Sequence, residues 1–332
     1  MRSPLISVVI PVYNDEVHIG ETIESILQQE FQDFEIIVVD DNSSDNTRDV
    51  VKSFASRKIE YIYMDCRHGG PSKPRNIGIR ASKGKFIAFC DSDDIFLPDR
   101  MTDALEFMES YSNLGMTFTD ARRFEDHTHK EIGTFLRGYT RFASLPKQFV
   151  GDSRYIIQPE LAYHTLFYGN YILPSGVTVA RKVFDKVGLF DETMTNADDW
   201  DMWLKISRNH AIGFIDKPGF RYRVTARSIS SKGGRLAINR IRVLEKHEKI
   251  VQVEDVRRQI RHEIAENYFN IGYVCQVSDE MEQARKYYCL SMRRHLSLRP
   301  MKGFVVTLLG PKLYHLLKRI LTKVSSEGNR PI

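Results

Sequence analysis

Three apolar runs, residues 6–10, 34–39 and 86–90, recur through the first part of the chain, and each ends abruptly in polar residues. Their length and their Val, Ile and Phe content are those of strands buried on both faces. Helical stretches separate them. Asn14 or Asp15 is placed to cap a helix with Ile19, Ile23, Ile26 and Leu27 on one face. A second helix is expected from about Thr47 to Ser56, a third from Pro74 to Ala81, and a further strand over 59–64. Strands alternating with helices at this spacing make an α/β sheet with helices on both faces. In such sheets ligands bind beyond the carboxyl ends of the strands. Pro11-Val12-Tyr13-Asn14 (Pro11 stopping the first strand), Asp40 to Asp45 and Asp91-Ser92-Asp93-Asp94 all stand at such ends. Three polar clusters should therefore meet in one crevice.

The third cluster carries the most chemistry. Asp91, Asp93 and Asp94 follow an apolar strand directly, so like charges stand close together and one would ordinarily protonate. A divalent cation removes that conflict, because hard Mg2+ and Mn2+ prefer carboxylate oxygens. Such a cation would in turn attract a diphosphate. These residues alone point to a metal-dependent enzyme acting on a nucleotide-linked substrate, with an ordinary Asp/Ser turn as the competing reading.

At 332 residues the chain has room for one domain of about 230 residues and a smaller appendage. With 42% apolar and 27% charged residues, its composition is that of a soluble globular protein. The strand pattern begins by Leu5, so no leader peptide is expected, and no stretch approaches the ~18–20 apolar residues of a membrane span. Cys66, Cys90, Cys275 and Cys289 are scattered without metal-ligand spacing, which suits a reduced, cytoplasmic protein with Cys90 in the core.

The net charge of +5 conceals an asymmetry. Residues 236–332 carry 18 Lys/Arg against 10 Asp/Glu, and residues 283–326 contain no acid at all. We therefore divide the chain into a mildly acidic domain over 1–235 and a basic helical region over 236–332. Within the latter, 261–299 has the pattern of a helical hairpin like one helical repeat. Leu313, Leu316, Leu317, Ile320, Leu321 and Val324 then recur at helical spacing, with Lys312, Arg319 and Lys323 largely opposite. Such a helix suits either an anionic membrane surface or packing with its basic face in water. No nucleic-acid-binding module is recognisable, so no nucleic-acid partner is expected. Residues 122–171 show no clear period and read as loops and short helices. A strand is expected over 175–179, and a helix from Asp198 to about Arg208.

The segments SVVIPVYN (7–14), IVVDDNSS (37–44), RNIG (75–78), ASKGKFIAFCDSDD (81–94) and DWDMWL (199–204), in this order, resemble glycosyltransferase family 2. The resemblance covers about residues 5–225. It implies a GT-A (Rossmann-like) fold, a mixed and mainly parallel sheet flanked by helices, followed here by a C-terminal helical extension. It also implies inverting transfer of a sugar from a nucleotide sugar, commonly a UDP-sugar, to an acceptor hydroxyl, assisted by Mn2+ or Mg2+. By the same resemblance Asp91-Ser92-Asp93 is the DXD motif. Asp93 is then the principal metal ligand, and Asp91 lies near the ribose or a metal-bound water. Asp41 would recognise the base, accepting from an N3–H of uracil. Pro11 and Tyr13 belong to the first nucleotide-binding loop, and Arg75 to a segment contacting nucleotide or phosphate.

Asp199 aligns with the catalytic base. Asp198 stands where the family usually carries Glu, which leaves open which carboxylate takes the proton. Trp200 is expected in the core and Trp203 in a wall of the acceptor pocket. Arg221 or Arg223, followed by Ser228-Ile229-Ser230, would close over the diphosphate or else form a solvated basic strand. The implied partners are a nucleotide-sugar donor and a glycan or lipid-linked acceptor. Membrane contact would place the protein on the inner face of the cytoplasmic membrane, as in bacterial surface polysaccharide assembly. A sugar nucleotidyltransferase would instead carry a Gly-rich loop where Pro11-Val12-Tyr13-Asn14 stands. An inactive nucleotide-sugar-binding scaffold would have lost Asp91, Asp93 or Asp199, and all three are present.

Overall fold

A computed structural model describes residues 3–225, 233–308 and 310. Contacts divide the chain into two units, residues 1–229 and 230–332. The first is built on one eleven-stranded mixed sheet. In chain order its first half runs β1 (Ile6–Val12), α1 (Ile19–Leu27), β2 (Phe34–Asp40), α2 (Thr47–Ser53), β3 (Ile59–Tyr63), α3 (Ser72–Ala81) and β4 (Phe86–Phe89). β3, β2, β1 and β4 lie side by side in that order and pair in parallel. All seven residues of β1 are buried, as a parallel strand with neighbours on both sides requires.

Two local details differ from the pattern read above. Pro11 does not stop β1, which continues through Val12 opposite Asp40. Its pairing with β4 ends at Val9, so by Pro11 one side of the strand is already unpaired and the missing N–H is tolerated. Nor do Asn14 or Asp15 cap α1. His18 occupies the cap position without a side-chain cap bond.

The second half contains β5 (Ile95–Phe96), α4 (Arg100–Ser110), β6 (Leu114–Glu125), β7 (Glu131–Thr134), α5 (Thr140–Ala143), β8 (Gln148–Gly151), β9 (Arg154–Ile157) and α6 (Pro159–Leu166). β10 (Thr178–Ala180), α7 (Lys182–Val187), α8 (Asp198–Ser207) and β11 (Ala211–Val224) complete it. The stretch 122–171, expected as loops and short helices, also contains the end of β6 and three further short strands. β7, β8 and β9 are four residues each and lie at the margin of the sheet, so their partners, not an internal period, make them strands. β10 runs antiparallel between β4 and β6 and so joins the parallel half to the rest.

Close backbone approach sets α3. A Cβ on Gly78 would run into the Val9 side chain, so only glycine lets this helix lie so close to β1. Phe89 of β4, Phe190 and Trp203 of α8 form an edge-to-face and tilted cluster with centroids 5.4–6.3 Å apart. That cluster locks α8 beside the end of β4. Trp203 is fully buried and donates its indole N–H to the Ile172 carbonyl (3.1 Å), so it is core and not an acceptor-pocket wall. Trp200 is likewise buried.

The second unit comprises α9 (Gly233–Glu248), α10 (Glu254–Val277), α11 (Met281–Arg294) and α12 (Leu298–Thr307). α10 and α11 form the expected hairpin. A Cβ on Gly272 would meet the Tyr288 ring at 2.9 Å, and the Tyr288 hydroxyl donates to Gln276 Oε1 (2.6 Å). Among the described residues no helix is long and apolar enough to cross a membrane. The stretch 313–324 and Ser228-Ile229-Ser230 lie outside the described residues.

Candidate active site

Beyond the ends of β1 and β2 two loops are stitched together. Asn14, in the left-handed region at φ 48°, accepts from Ser44 N–H (2.7 Å) and donates its own N–H to Ser43 Oγ (2.8 Å). Asn tolerates that conformation because its short amide bonds locally. Asp41 is buried, and its two carboxylate oxygens accept from the backbone N–H groups of His68 (2.7 Å) and Gly69 (2.9 Å). The neighbouring Tyr13 ring is covered by the Arg67 guanidinium at 3.9 Å. Pro11 is buried at the end of β1.

The acidic run follows β4. Asp91 N–H donates to Ser175 Oγ (3.0 Å), and that hydroxyl donates to Asp94 Oδ2 (2.5 Å). Asp94 also accepts from Arg223 N–H (3.2 Å), so the last acid of the run holds the loop from behind. Ser92 donates to Asp15 Oδ2 (2.6 Å), tying the run to the first loop. Asp15 in turn meets His18 Nδ1 at 2.6 Å. Asp93 has its carboxyl pushed up to about 7 by burial, with Asp91 and Asp15 adding like charge.

Arg75 organises the other side. Only 3% exposed, it donates through Nη2 to Asp91 Oδ1 (2.7 Å) and through Nη1 to Asp198 Oδ2 (2.8 Å). Burial opposes its charge, but Asp91, Asp198 and Asp199 together more than offset that and hold it protonated. Arg75 is thus a buried bridge between the end of β4 and the start of α8, and no surface arginine.

α8 begins at Asp198, directly after Ala197 in the left-handed region (φ 57°, ψ 13°). A residue with a Cβ pays about 1–2 kcal/mol there. Asp198 is buried against Arg75. Asp199 is half-buried, and its Oδ2 accepts from Asn170 Nδ2 (2.8 Å). Burial, then the adjacent Asp198, raises the Asp199 carboxyl to about 6, with Arg75 opposing. Asp91, Arg75, Asp198 and Asp199 therefore form one electrostatic group.

Arg223 does not belong to a solvated basic strand. It is 2% exposed and donates to the Asp93 carbonyl (2.9 Å), Asp126 (2.9 Å) and Glu21 (2.5 Å). Arg221 lies over the Phe124 ring at 4.2 Å. Reading the sequence alone missed Asn170, Ser175, Asp15, His18 and the Arg223 partners. Asn170 sits in an irregular stretch with no motif around it, and Ser175, expected to open a strand, lies instead in a 3-10 turn over Pro174–Gly176 before β10. Only the crossing of β10 beside β4 brings Ser175 to the acidic run.

Among the described residues no three His, Cys, Asp or Glu side chains gather to hold a metal by themselves. Mg2+ is ordinarily bound through one or two carboxylates plus substrate phosphates, so a smaller protein set suffices. Asp93 with Asp91 beside it supplies hard oxygen donors whose repulsion a cation would relieve.

A mixed sheet of this order, with carboxylates gathered beyond its parallel strand ends, defines a GT-A glycosyltransferase architecture. Residues 7–171 belong to glycosyltransferase family 2, since they match the model described as Glycosyl transferase family 2. An uncharacterized glycosyltransferase of Rickettsia prowazekii is 29% identical over 224 residues, 68% of this chain and 65% of that protein. The chain thus spans under two thirds of that relative's length, and 64% of the corresponding Rickettsia typhi protein. The crystal structure of Staphylococcus aureus TarS 1–349 with UDP-GlcNAc superposes with a TM-score of 0.62 at 17% identity, covering 94% of this chain and 92% of that one. The mannosyltransferase PcManGT of Pyrobaculum calidifontis, in complex with GDP-Man and Mn2+, gives a TM-score of 0.54 at 14% identity, covering 96% and 84%. These structural likenesses concern the fold.

Proposed function

We propose that this protein transfers a sugar from a nucleotide-sugar donor, a UDP-sugar, to an acceptor hydroxyl with inversion, in the synthesis of a cell-surface polysaccharide. The observation that carries the reading is the group of Asp91, Asp198 and Asp199 around buried Arg75, beside Asp93. Carboxylates with raised pKa values, here Asp93, Asp198 and Asp199, cluster at active sites, where they are matched to a task. The UDP-GlcNAc bound in the TarS structure supports the choice of nucleotide.

Asp41 would receive the base. Each carboxylate oxygen has two lone pairs, so after His68 and Gly69 it retains capacity for one further N–H. Tyr13 offers its ring to the base, Pro11 shapes the loop beneath, and Ser92 holds that loop through Asp15. Asp93, with Asp91, would hold Mn2+ or Mg2+ together with the donor's diphosphate. Bound there, the cation neutralises charge on the departing nucleoside diphosphate.

Asp199 acts as the general base. As the acceptor oxygen bonds to the anomeric carbon, its proton passes to Asp199, and the nucleoside diphosphate leaves with the bonding electrons. A carboxyl near 6 is ionised at neutral pH yet basic enough to take that proton. Asn170 holds Oδ2 and so fixes the orientation of the carboxylate. Asp198, committed to Arg75, positions the group and does not exchange the proton.

The test is turnover of UDP-, GDP- and dTDP-sugars with Mn2+, using membrane extract as acceptor, for wild type, Asp93→Ala and Asp199→Asn. Turnover of one donor, lost on chelation and in both variants, is expected. Donor binding without turnover under every condition would favour an inactive binding subunit. Absence of any donor binding would refute the nucleotide site.

A further inference from the structure

α12 is apolar on two opposite faces. On one, Pro300 and Thr307 are buried, and a Cβ on Gly303 would meet the Tyr288 ring of α11 at 2.6 Å. Arg285 of α11 also donates to the Thr307 carbonyl at 3.2 Å. That face belongs to the helical core. Leu298, Met301, Val305 and Leu308 follow at intervals of three, four and three residues and share the opposite side. All four are exposed: Leu298 by 68%, Leu308 by 61%, Val305 by 54% and Met301 by 40%. A helix apolar all round ordinarily has both faces covered, so this outer stripe calls for an occupant.

Charge selects it. Residues 283–326 contain ten Lys/Arg and no Asp or Glu. Lys302 is exposed in the same turn as Met301, whereas Arg299 on the helix flank pairs with Glu266 of α10 at 3.1 Å. Lys286 and Arg293 of α11 lie in the same acid-free stretch. Pairing within the helical unit accounts for Arg294 and Arg299, which meet Glu245, Glu248 and Glu266, but burying a stripe against protein gives no reason for the rest of so long a stretch to exclude acids. An anionic lipid surface does, because each carboxylate near it is repelled while each Lys or Arg is attracted. A soluble polyanion would satisfy the charges but leave the stripe in water.

We infer that α12 lies on an anionic membrane surface, with Leu298, Met301, Val305 and Leu308 at the acyl boundary and Lys302 at the headgroups. Lys312, Lys318, Arg319 and Lys323 of the following sequence extend the same positive stretch. The inference deepens the proposed function, since it rests on the reading of cell-surface polysaccharide synthesis for its purpose but not for its physics.

The test is co-sedimentation of the full chain with vesicles of phosphatidylcholine alone and of phosphatidylcholine mixed with phosphatidylglycerol. Binding to the anionic vesicles should be at least about tenfold stronger and should fall at high salt. Met301→Gln with Val305→Gln should weaken it about tenfold, and Lys302→Glu severalfold. Hydrogen exchange across 298–308 should slow only when anionic vesicles are present.

Lack of vesicle binding, or binding unchanged in both variants, overturns the inference. So does a drop in oligomeric mass in the Met301/Val305 variant, which would mean that a second copy covers the stripe. Exchange in 311–332 that accelerates in that variant without vesicles would mean that the chain's own end covers it. Donor hydrolysis, measured without vesicles, reports the proposed function separately.

Discussion

Two buried arginines flank the acidic run after β4, and they serve different ends. Arg75 pairs with carboxylates that belong to the crevice, Asp91 and Asp198. Arg223 grips a main-chain carbonyl, at Asp93, and pairs with Asp126 and Glu21 behind the loop. Both are 2–3% exposed and both are ion-paired, so neither burial nor charge distinguishes them. What differs is the partner. A residue whose partners carry the chemistry is tied to activity, and one whose partners are scaffold is tied to stability.

The largest effect should come from Asp199, the proposed base, which Arg75 helps to tune. Asp199→Asn should lower kcat by about 10²–10⁴-fold in a steady-state transfer assay. The same substitution should raise stability at alkaline pH. The folded carboxyl is raised to about 6, above its ordinary value of 3.8, so its burial costs nothing at acid pH. That cost begins above the ordinary value and is complete once pH has passed about 6. Thermal melts should therefore show the Asp199→Asn variant more stable than wild type by about 1 kcal/mol at pH 8, with the difference gone near pH 4. An unchanged kcat would transfer the proton-accepting role to Asp198.

Arg75→Lys comes next. One ammonium cannot span two carboxylates as a guanidinium fork does. We expect kcat/KM to fall about 100-fold, with a stability loss of about 2 kcal/mol by urea denaturation, since one buried carboxylate is left without its ion pair. Arg223→Lys should reverse the balance, costing about 2 kcal/mol while activity stays within about threefold of wild type below the melting range. If Arg223→Lys abolished turnover in folded protein, the division between the two arginines would fail.

The smallest effect sharpens the picture around Asp199. The kcat/KM of wild type should rise with pH through about 6 and then level. Asn170→Ala removes a donor that favours the charged carboxylate, so the inflection should move upward, with activity at pH 7 falling about threefold.

Much of this molecule was legible in its sequence because local rules governed it. The runs forming β1, β2 and β4 are buried on both faces, so apolar continuity marked them and turn residues marked their ends. Tyr13, Asp41 and Asp91 could be placed just beyond the ends of β1, β2 and β4 from the sequence. The strands β7, β8 and β9 could not be read, because four-residue strands at a sheet margin owe their existence to their pairing partners. For a similar reason Trp203 was misjudged: only tertiary packing against Phe89 and Phe190 decides that its ring is core.

The sequence by itself determined the chemistry available, namely carboxylates following buried strands and a basic, acid-free stretch towards the end of the chain. Tertiary structure alone decided which charges meet. Arg75 lies 123 residues from Asp198 and Ser175 lies 81 from Asp94. Pairing over such separations is set by how β10 and α8 dock beside β4. A buried charge takes whatever counter-charge that docking supplies, because the cost of leaving it alone is several kcal/mol.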